Sequence, residues 1–181
     1  MIIEIYPNER STDTERIQNA IDKCYLQGGG EVVLHKGLYH VGGLRIRSNI
    51  TLRMRSGAVL KGSRRREDYD ILAGDKLEPI EEERLAKKEG WDFKGINDRW
   101  HNALLRIVDA ENVAIIGDKD SVIDGSNCYD PDGEENFRGP HAIGIRCSKN
   151  INLSGYTVRD SANWAHCIFY CGSVYAIIRS G

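Results

Sequence analysis

The sequence predicts an all-β solenoid, a parallel β-helix with a capping α-helix near its start and a charged helical insertion. Three observations predict it. Residues 138–171, RGPHAIGIRCSKNINLSGYTVRDSANWAHCIFYC, state one pattern twice. With Cys147 laid over Cys171, 24 positions on, Ile143 and Ile145 fall on Cys167 and Phe169, and Ala142 and Gly144 fall on His166 and Ile168. Apolar residues at every second position mark a strand with one buried face. Recurrence every 20 to 25 residues, roughly, marks stacked coils. Second, Asn49-Ile-Thr-Leu52, Asn112-Val-Ala-Ile115, Asn150-Ile-Asn-Leu153 and Ser173-Val-Tyr-Ala176 repeat at intervals of 63, 38 and 23 residues. One coil of 23, with loops or further coils in the longer intervals, accounts for these, because a solenoid tolerates insertions that leave its surface as loops. Third, Arg45, Arg47, Arg53 and Arg55 alternate with Leu44, Ile46, Leu52 and Met54. Parallel sheets of other folds hide both faces, whereas a β-helix leaves each sheet's outer face wet.

The elements follow in order. Met1-Ile-Ile-Glu-Ile is strand-like. Ser11 or Thr12, with Glu15 as the far side of a capping box, precedes Ile17, Ala20, Ile21 and Cys24 at helical spacing. Gly28-Gly29-Gly30 stops this helix and a strand starts at Glu31. No GK[ST] follows the glycines and their order is helix then strand, the reverse of a phosphate loop. Short strands are predicted at 39–41, 44–47, 51–55 and 58–60. The arginine ladder is read as a solvated face balanced by acids.

Residues 64–100 break the strand pattern. Glu81 to Glu89 places acids before bases in helical order, and we expect a charged excursion with a short helix over the barrel, Trp91 and Trp100 packing it or stacking on sugars. Strands resume at 103–108, 112–117 and 122–124. The loop Asp130 to Asn136 is rich in oxygen ligands but lacks EF-hand spacing, so it is read as a turn-rich loop and no metal site is expected.

The 181 residues suit one domain spanning 1–181. Twenty-five basic against 27 acidic residues give no global basic field, so no nucleic-acid partner is expected. No apolar run reaches transmembrane length, and no membrane partner is expected. Five cysteines form no CxxC motif and read as small core residues of a reducing compartment. The start lacks a signal peptide's pattern. A cytoplasmic location is expected, with a secreted or periplasmic one the alternative if a leader has been removed.

The segments TDTERIQNAIDKCYLQGGGEVVLHKGLYHVGGLRIRSNITLRMRSGAVLKGS, NVAIIGDKDSVIDGS and RGPHAIGIRCSKNINLSGYTVRDSANWAH resemble the opening half of the family 28 glycoside hydrolases, the polygalacturonase-like family. The resemblance covers nearly all of the chain except 64–100. It implies a right-handed β-helix, inverting hydrolysis of α-linked galacturonide chains in pectin and cell-wall polysaccharide, no cofactor, and a uronic-acid-rich polysaccharide or oligosaccharide as partner. The family's Asn-Thr-Asp, Asp-Asp, Gly-His-Gly and Arg-Ile-Lys signatures follow the coil that starts at Cys171. None lies within these 181 residues, so no residue is assigned as catalytic and the chain is expected to be inactive by itself.

In the family's pattern the first catalytic Asp sits seven residues before the small residue that opens the next strand, and Trp164 sits seven before Cys171. The resemblance therefore places Trp164 one rung below that position. His166 is expected to share its outward parity and Arg138 to lie at the same corner one coil earlier. These three are the candidate substrate-binding residues: a ring face stacks on sugar and a guanidinium pairs with a carboxylate. Asp160 is expected to match Asn136 one coil earlier, leaving no pair of acids at matching positions. A β-helix lyase or epimerase and a non-catalytic polysaccharide-binding β-helix are the alternatives. The coil at Val174 to Ile178 is expected to expose backbone groups and mediate self-association.

Overall fold

The chain, seen as a computed structural model described over residues 1–8, 13–69, 102–133 and 135–177, is a right-handed parallel β-helix whose three sheets contain only parallel pairs. The first strand, β1 (Ile2–Ile5), leads into α1 (Thr14–Leu26). The first coil is then β2 (Gly30–Leu34), β3 (Gly37–Val41) and β4 (Leu44–Ile46). The second is β5 (Ile50–Met54), β6 (Ala58–Gly62) and β7 (Ala103–Val108), and the third β8 (Glu111–Gly117), β9 (Val122–Asp124) and β10 (His141–Arg146). The fourth is β11 (Lys149–Ser154), β12 (Thr157–Arg159) and β13 (His166–Phe169), followed by β14 (Gly172–Ile177). Stacking gives one sheet of β1-β2-β5-β8-β11-β14, one of β3-β6-β9-β12 and one of β4-β7-β10-β13.

Helix α1 closes the lower end. Ile17, Ala20, Ile21 and Cys24 are its buried face and join the core formed by the inward residues of the coils. The expected capping box falls on residues 11 and 12, outside the described residues. Asp13 is the N-cap, but its side chain makes no capping bond to the helix amides: Oδ2 accepts from the His40 amide at 3.0 Å and Oδ1 from Arg16 Nη1 at 2.9 Å. The helix is thus tied to β3 of the first coil. The predicted helix at 81–89 and the expected places of Trp91 and Trp100 lie outside the described residues. No helix among the described residues is long and apolar enough to cross a membrane.

Side chains stack in columns because parallel strands pair in register. Leu44, Leu105 and Ile143 form one inward column and Ile46, Ile107 and Ile145 the next, all buried. The same register corrects the offset read from the cysteines. Ile143 pairs with His166 and Ile145 with Ile168, so the last interval is 23, not 24. His166 and Ile168 therefore face inward, and Cys167 and Phe169 stand outward beside Gly144 and Arg146. The corner residues explain the slip: Cys147 and Tyr170, not Cys171, share the left-handed conformation at φ 48°.

The asparagine series keeps its place. Asn49, Asn112, Asn150 and Ser173 all take positive φ, between 51° and 61°, at equivalent corners. Asparagine tolerates this conformation because its short polar side chain can bond locally. Each interval holds a single coil, since β5 pairs directly with β8 and β8 with β11. The arginine ladder is neutralised on the outer face: Arg47 Nε bonds Asp22 Oδ1 at 2.6 Å, Arg53 bonds Glu31, and Arg53 and Arg55 both approach Asp118.

Connections between sheets are two to four residues long at all corners but one. Chain leaving β6 returns at β7 after residues 63–102, that leaving β9 after 125–140, and that leaving β12 after 160–165. One edge of the helix thus collects all the length variation.

Candidate functional site

Stacked one above the other on this edge are the connections 125–140 and 160–165. Gly125 donates its amide to the Arg159 carbonyl and Asn127 to that of Asp160, at 3.0 and 2.7 Å. With Asp124 paired to Arg159, Asp160 matches Gly125. The expected match to Asn136 fails because Asn136 belongs to the inserted part of the third coil's loop.

That loop is pinned by charges. Asp124, 3% exposed, accepts the Ser126 amide on Oδ1 at 2.8 Å and the Arg159 guanidinium on Oδ2 through Nε and Nη2 at 3.0 and 2.9 Å. Arg66, from the second coil's long connection, binds Asp130 Oδ1 at 2.6 Å and also Asp132. Hydrogen bonds to Asp132 and then Asp130 push the Arg66 pKa further upward. The oxygens that suggested a cation site are thus held by a guanidinium, and among the described residues no group of three or more His, Cys, Asp or Glu is placed to hold a metal.

On this edge Arg138 reaches Asn163, the residue before Trp164. Arg138 donates from Nε to Glu135 Oε2 at 2.9 Å and from Nη1 to Asn163 Oδ1 at 3.5 Å, beside Trp164, and its guanidinium lies 5.5 Å above the Phe137 ring. The Trp164 backbone is fixed: its amide donates to His141 Nδ1 at 3.2 Å, and its carbonyl accepts from Ser161 Oγ and the Ala142 amide. Its indole is half exposed, as are Phe137 and Tyr129 of the third coil's long connection. An exposed indole on a backbone held this tightly presents an aromatic face to solvent in a fixed place.

His166 lies elsewhere. Its Nε2 is 3.0 Å from the hydroxyl of Tyr156, a core residue, and the rings stack at 6.0 Å. Burial lowers the His166 pKa and raises that of Tyr156, so a neutral imidazole and a neutral phenol share this bond. The outward parity expected for His166 is corrected by the one-residue register shift.

Sequence reasoning missed His141. It is 2% exposed, its ring is 6.3 Å from that of Trp164, and accepting on Nδ1 leaves the ring hydrogen on Nε2. A polar residue opening the strand just after Pro140, ahead of the apolar stretch Ala142 to Ile145, was the available signal. Arg66 was equally unsuspected, because its partners lie 64 and 66 positions away.

No family model matches the sequence, and no curated protein matches it. Solved structures do. A candidate glycosyl hydrolase from Parabacteroides merdae aligns over 99% of this chain and 74% of its own, with TM-score 0.71 and 20% identity. The family 28 exopolygalacturonase of Yersinia enterocolitica aligns over 99% of this chain at TM-score 0.66 and 20% identity. A hyperthermoactive exopolygalacturonase from Thermotoga maritima aligns over 98% at TM-score 0.63 and 18% identity. The chain spans 38% and 47% of the lengths of these two exopolygalacturonases. An iota-carrageenase from A. fortis is also similar, at TM-score 0.55 and 16% identity over 87% of this chain and 29% of its own. In its fold the chain is a right-handed parallel β-helix like that of the polygalacturonases.

Proposed function

We propose that this chain forms the first coils of a pectin-type glycoside hydrolase, acting with inversion on α-linked galacturonide chains, and that its own part is to bind the sugar. The observation that carries the reading is the half-exposed indole of Trp164, fixed through its backbone to His141 and preceded by Asn163, which accepts from Arg138. An aromatic face stacks on the C–H face of a sugar ring, and a guanidinium at its edge suits a carboxylate. His166 holds Tyr156 on the inner side and receives no direct contact with sugar.

Inverting hydrolysis needs one carboxylic acid and one carboxylate about 6.5 to 9.5 Å apart, with room for water between them. Among the described acids of this edge, Asp124 pairs with Arg159, Glu135 with Arg138, and Asp130 and Asp132 with Arg66, while Asp160 stands opposite Gly125 and so has no second acid at the matching position one coil earlier. The 181-residue chain is therefore expected to bind without turnover.

The test pairs a reducing-sugar assay on polygalacturonate with a binding titration of oligogalacturonides, using the intact chain and a Trp164→Ala variant. Binding that weakens about tenfold in the variant, corresponding to ~1.4 kcal/mol for a lost stacking contact, with no turnover in either protein, is the expected result. Turnover that disappears in the variant would place catalytic groups at this corner and sink the assignment of binding alone.

A further inference from the structure

We propose that Arg66 is a positioning residue for the sugar-binding corner: by clasping Asp130 and Asp132 it fixes the third coil's connection, and so the place from which Arg138 meets an acidic sugar. This role rests on the reading of the Trp164 corner as a sugar site. It makes affinity there depend on a residue one coil below Arg138.

Arg66 is carried on a firmly held backbone. It opens the turn at 66–69, shortly after β6, and the turn ends in Tyr69, a core residue 1% exposed whose hydroxyl donates to the Ser63 carbonyl at 2.8 Å. The Asp68 carbonyl accepts the Gly43 amide at 3.1 Å, which ties the same turn to the first coil. Two coils therefore hold the segment that presents this guanidinium.

The clasp spans two connections. Nη1 of Arg66 donates to Asp130 Oδ1 at 2.6 Å and to Asp132 Oδ2. Asp130 is 4% exposed, so its carboxylate has given up most of its water and depends on charge-assisted partners inside the protein. Both acids also interact elsewhere in the chain; Arg66 joins them to the second coil. From Asp130 the constraint passes along the connection 125–140. The Asp130 amide donates to the Phe137 carbonyl at 3.2 Å, so the outgoing and returning arms are bonded where Arg66 grips. Nearer the strands the arms are closer still, since a Cβ on Gly139 would lie 1.9 Å from the carbonyl oxygen of Cys128, a core residue. Arg138 sits on the returning arm between Phe137 and Gly139, donating to Glu135 Oε2 at 2.9 Å and to Asn163 Oδ1 at 3.5 Å. Surface connections move unless they are tied down. Here an ion pair with the coil below supplies a tie.

The experiment follows solvent hydrogen exchange by NMR in the intact chain, reading the Asp130 amide and the Arg138 Nε–H, with the Ile107 and Ile143 amides of the sheet as reference. In Arg66→Gln the first two should exchange about tenfold faster, as local opening allows, while the reference amides keep their rates. Asp132→Asn, at a side chain 62% exposed, should show a smaller change in the same two groups. Unchanged exchange at Asp130 and Arg138 in Arg66→Gln overturns the inference, and so does equal acceleration across the sheet, which would make Arg66 a general stabiliser. If Arg66→Gln does not fold, Asp132→Asn decides by the same signals. Titration with trigalacturonate reads the consequence for binding. Arg66→Gln should bind roughly fivefold more weakly, and this loss should vanish in an Arg138→Gln background, because the clasp acts through that guanidinium. A loss of equal size in both backgrounds overturns the inference. If trigalacturonate does not bind the unaltered chain, the sugar reading fails, and the exchange rates alone confirm or overturn the hold of Arg66 on Arg138.

Discussion

Asn112 and Asn150 share a side-chain hydrogen bond of 2.7 Å across adjacent coils, each residue in the left-handed conformation. Asn112 in turn donates to Asn49 one coil below at 2.9 Å. Asn112→Ala removes both rungs and forces alanine into a positive φ. We expect a loss of about 1 to 2 kcal/mol, read from urea unfolding. Asn112→Gly keeps the backbone freedom and loses only the rungs, so it should lose less. Equal stability of wild type and the alanine variant would show that the ladder is idle.

The His166–Tyr156 pair gives the fold a pH dependence. Burial lowers the His166 pKa from its ordinary 6.5, so in the window below 6.5 the unfolded chain takes up a proton that the folded chain refuses. Stability should be intact above that value and decline as pH falls toward the folded pKa. Unfolding midpoints at pH 7.5 and 5.5 should differ more for wild type than for His166→Gln. An identical pH slope in both proteins would count against a neutral, buried imidazole.

Ile145 and Phe169 separate the two candidate registers. With the interval of 23, Ile145 faces the core and Phe169 stands outward next to Arg146. Ile145→Asp should cost roughly 3 kcal/mol or more, since Ile145 is buried in the apolar core, paired with Ile107 and Ile168, and a carboxylate there would lose its hydration. Phe169→Asp, beside a cation, should cost well under half as much. Similar melting losses for both would revive the interval of 24.

Among the described residues β12, β13 and β14 each have a neighbour on one side only, and Ile168, Tyr175 and Ile177 are exposed there. Strand edges with apolar side chains template further pairing. Sedimentation of the chain should show concentration-dependent association that Ile168→Lys together with Ile177→Lys reduces. A monomer at all concentrations would remove this surface from consideration.

The sheets were legible because their signal is local. Alternation at 44–47 and 51–55 and the recurrence of Asn49, Asn112 and Asn150 depend on period and corner conformation, which neighbouring residues express directly. The cysteine alignment misled because Cys147 and Cys171 look alike chemically while the chain turns at Cys147 and Tyr170; the Asn150 to Ser173 interval already contained the right number. Arg138 reaches Asn163, the residue before Trp164 in the chain. His166 was turned to the wrong side by the same single-residue slip. His141 and Arg66 act through partners far along the chain, and such pairings have no local pattern to betray them.

The confinement of long connections to one edge has a practical meaning. At the other corners the connections stay within two to four residues in every coil, so those corners fix the pitch of the whole stack. The edge carrying Arg138 and Trp164 sits outside that constraint, and lengthening a loop there costs chain entropy that grows only with the logarithm of its length. Foreign peptide spliced between Ala162 and Asn163 would meet the same tolerance that the chain already shows between β6 and β7, which makes this one side of the molecule a place for exchanging specificity while the stack behind it stays as it is.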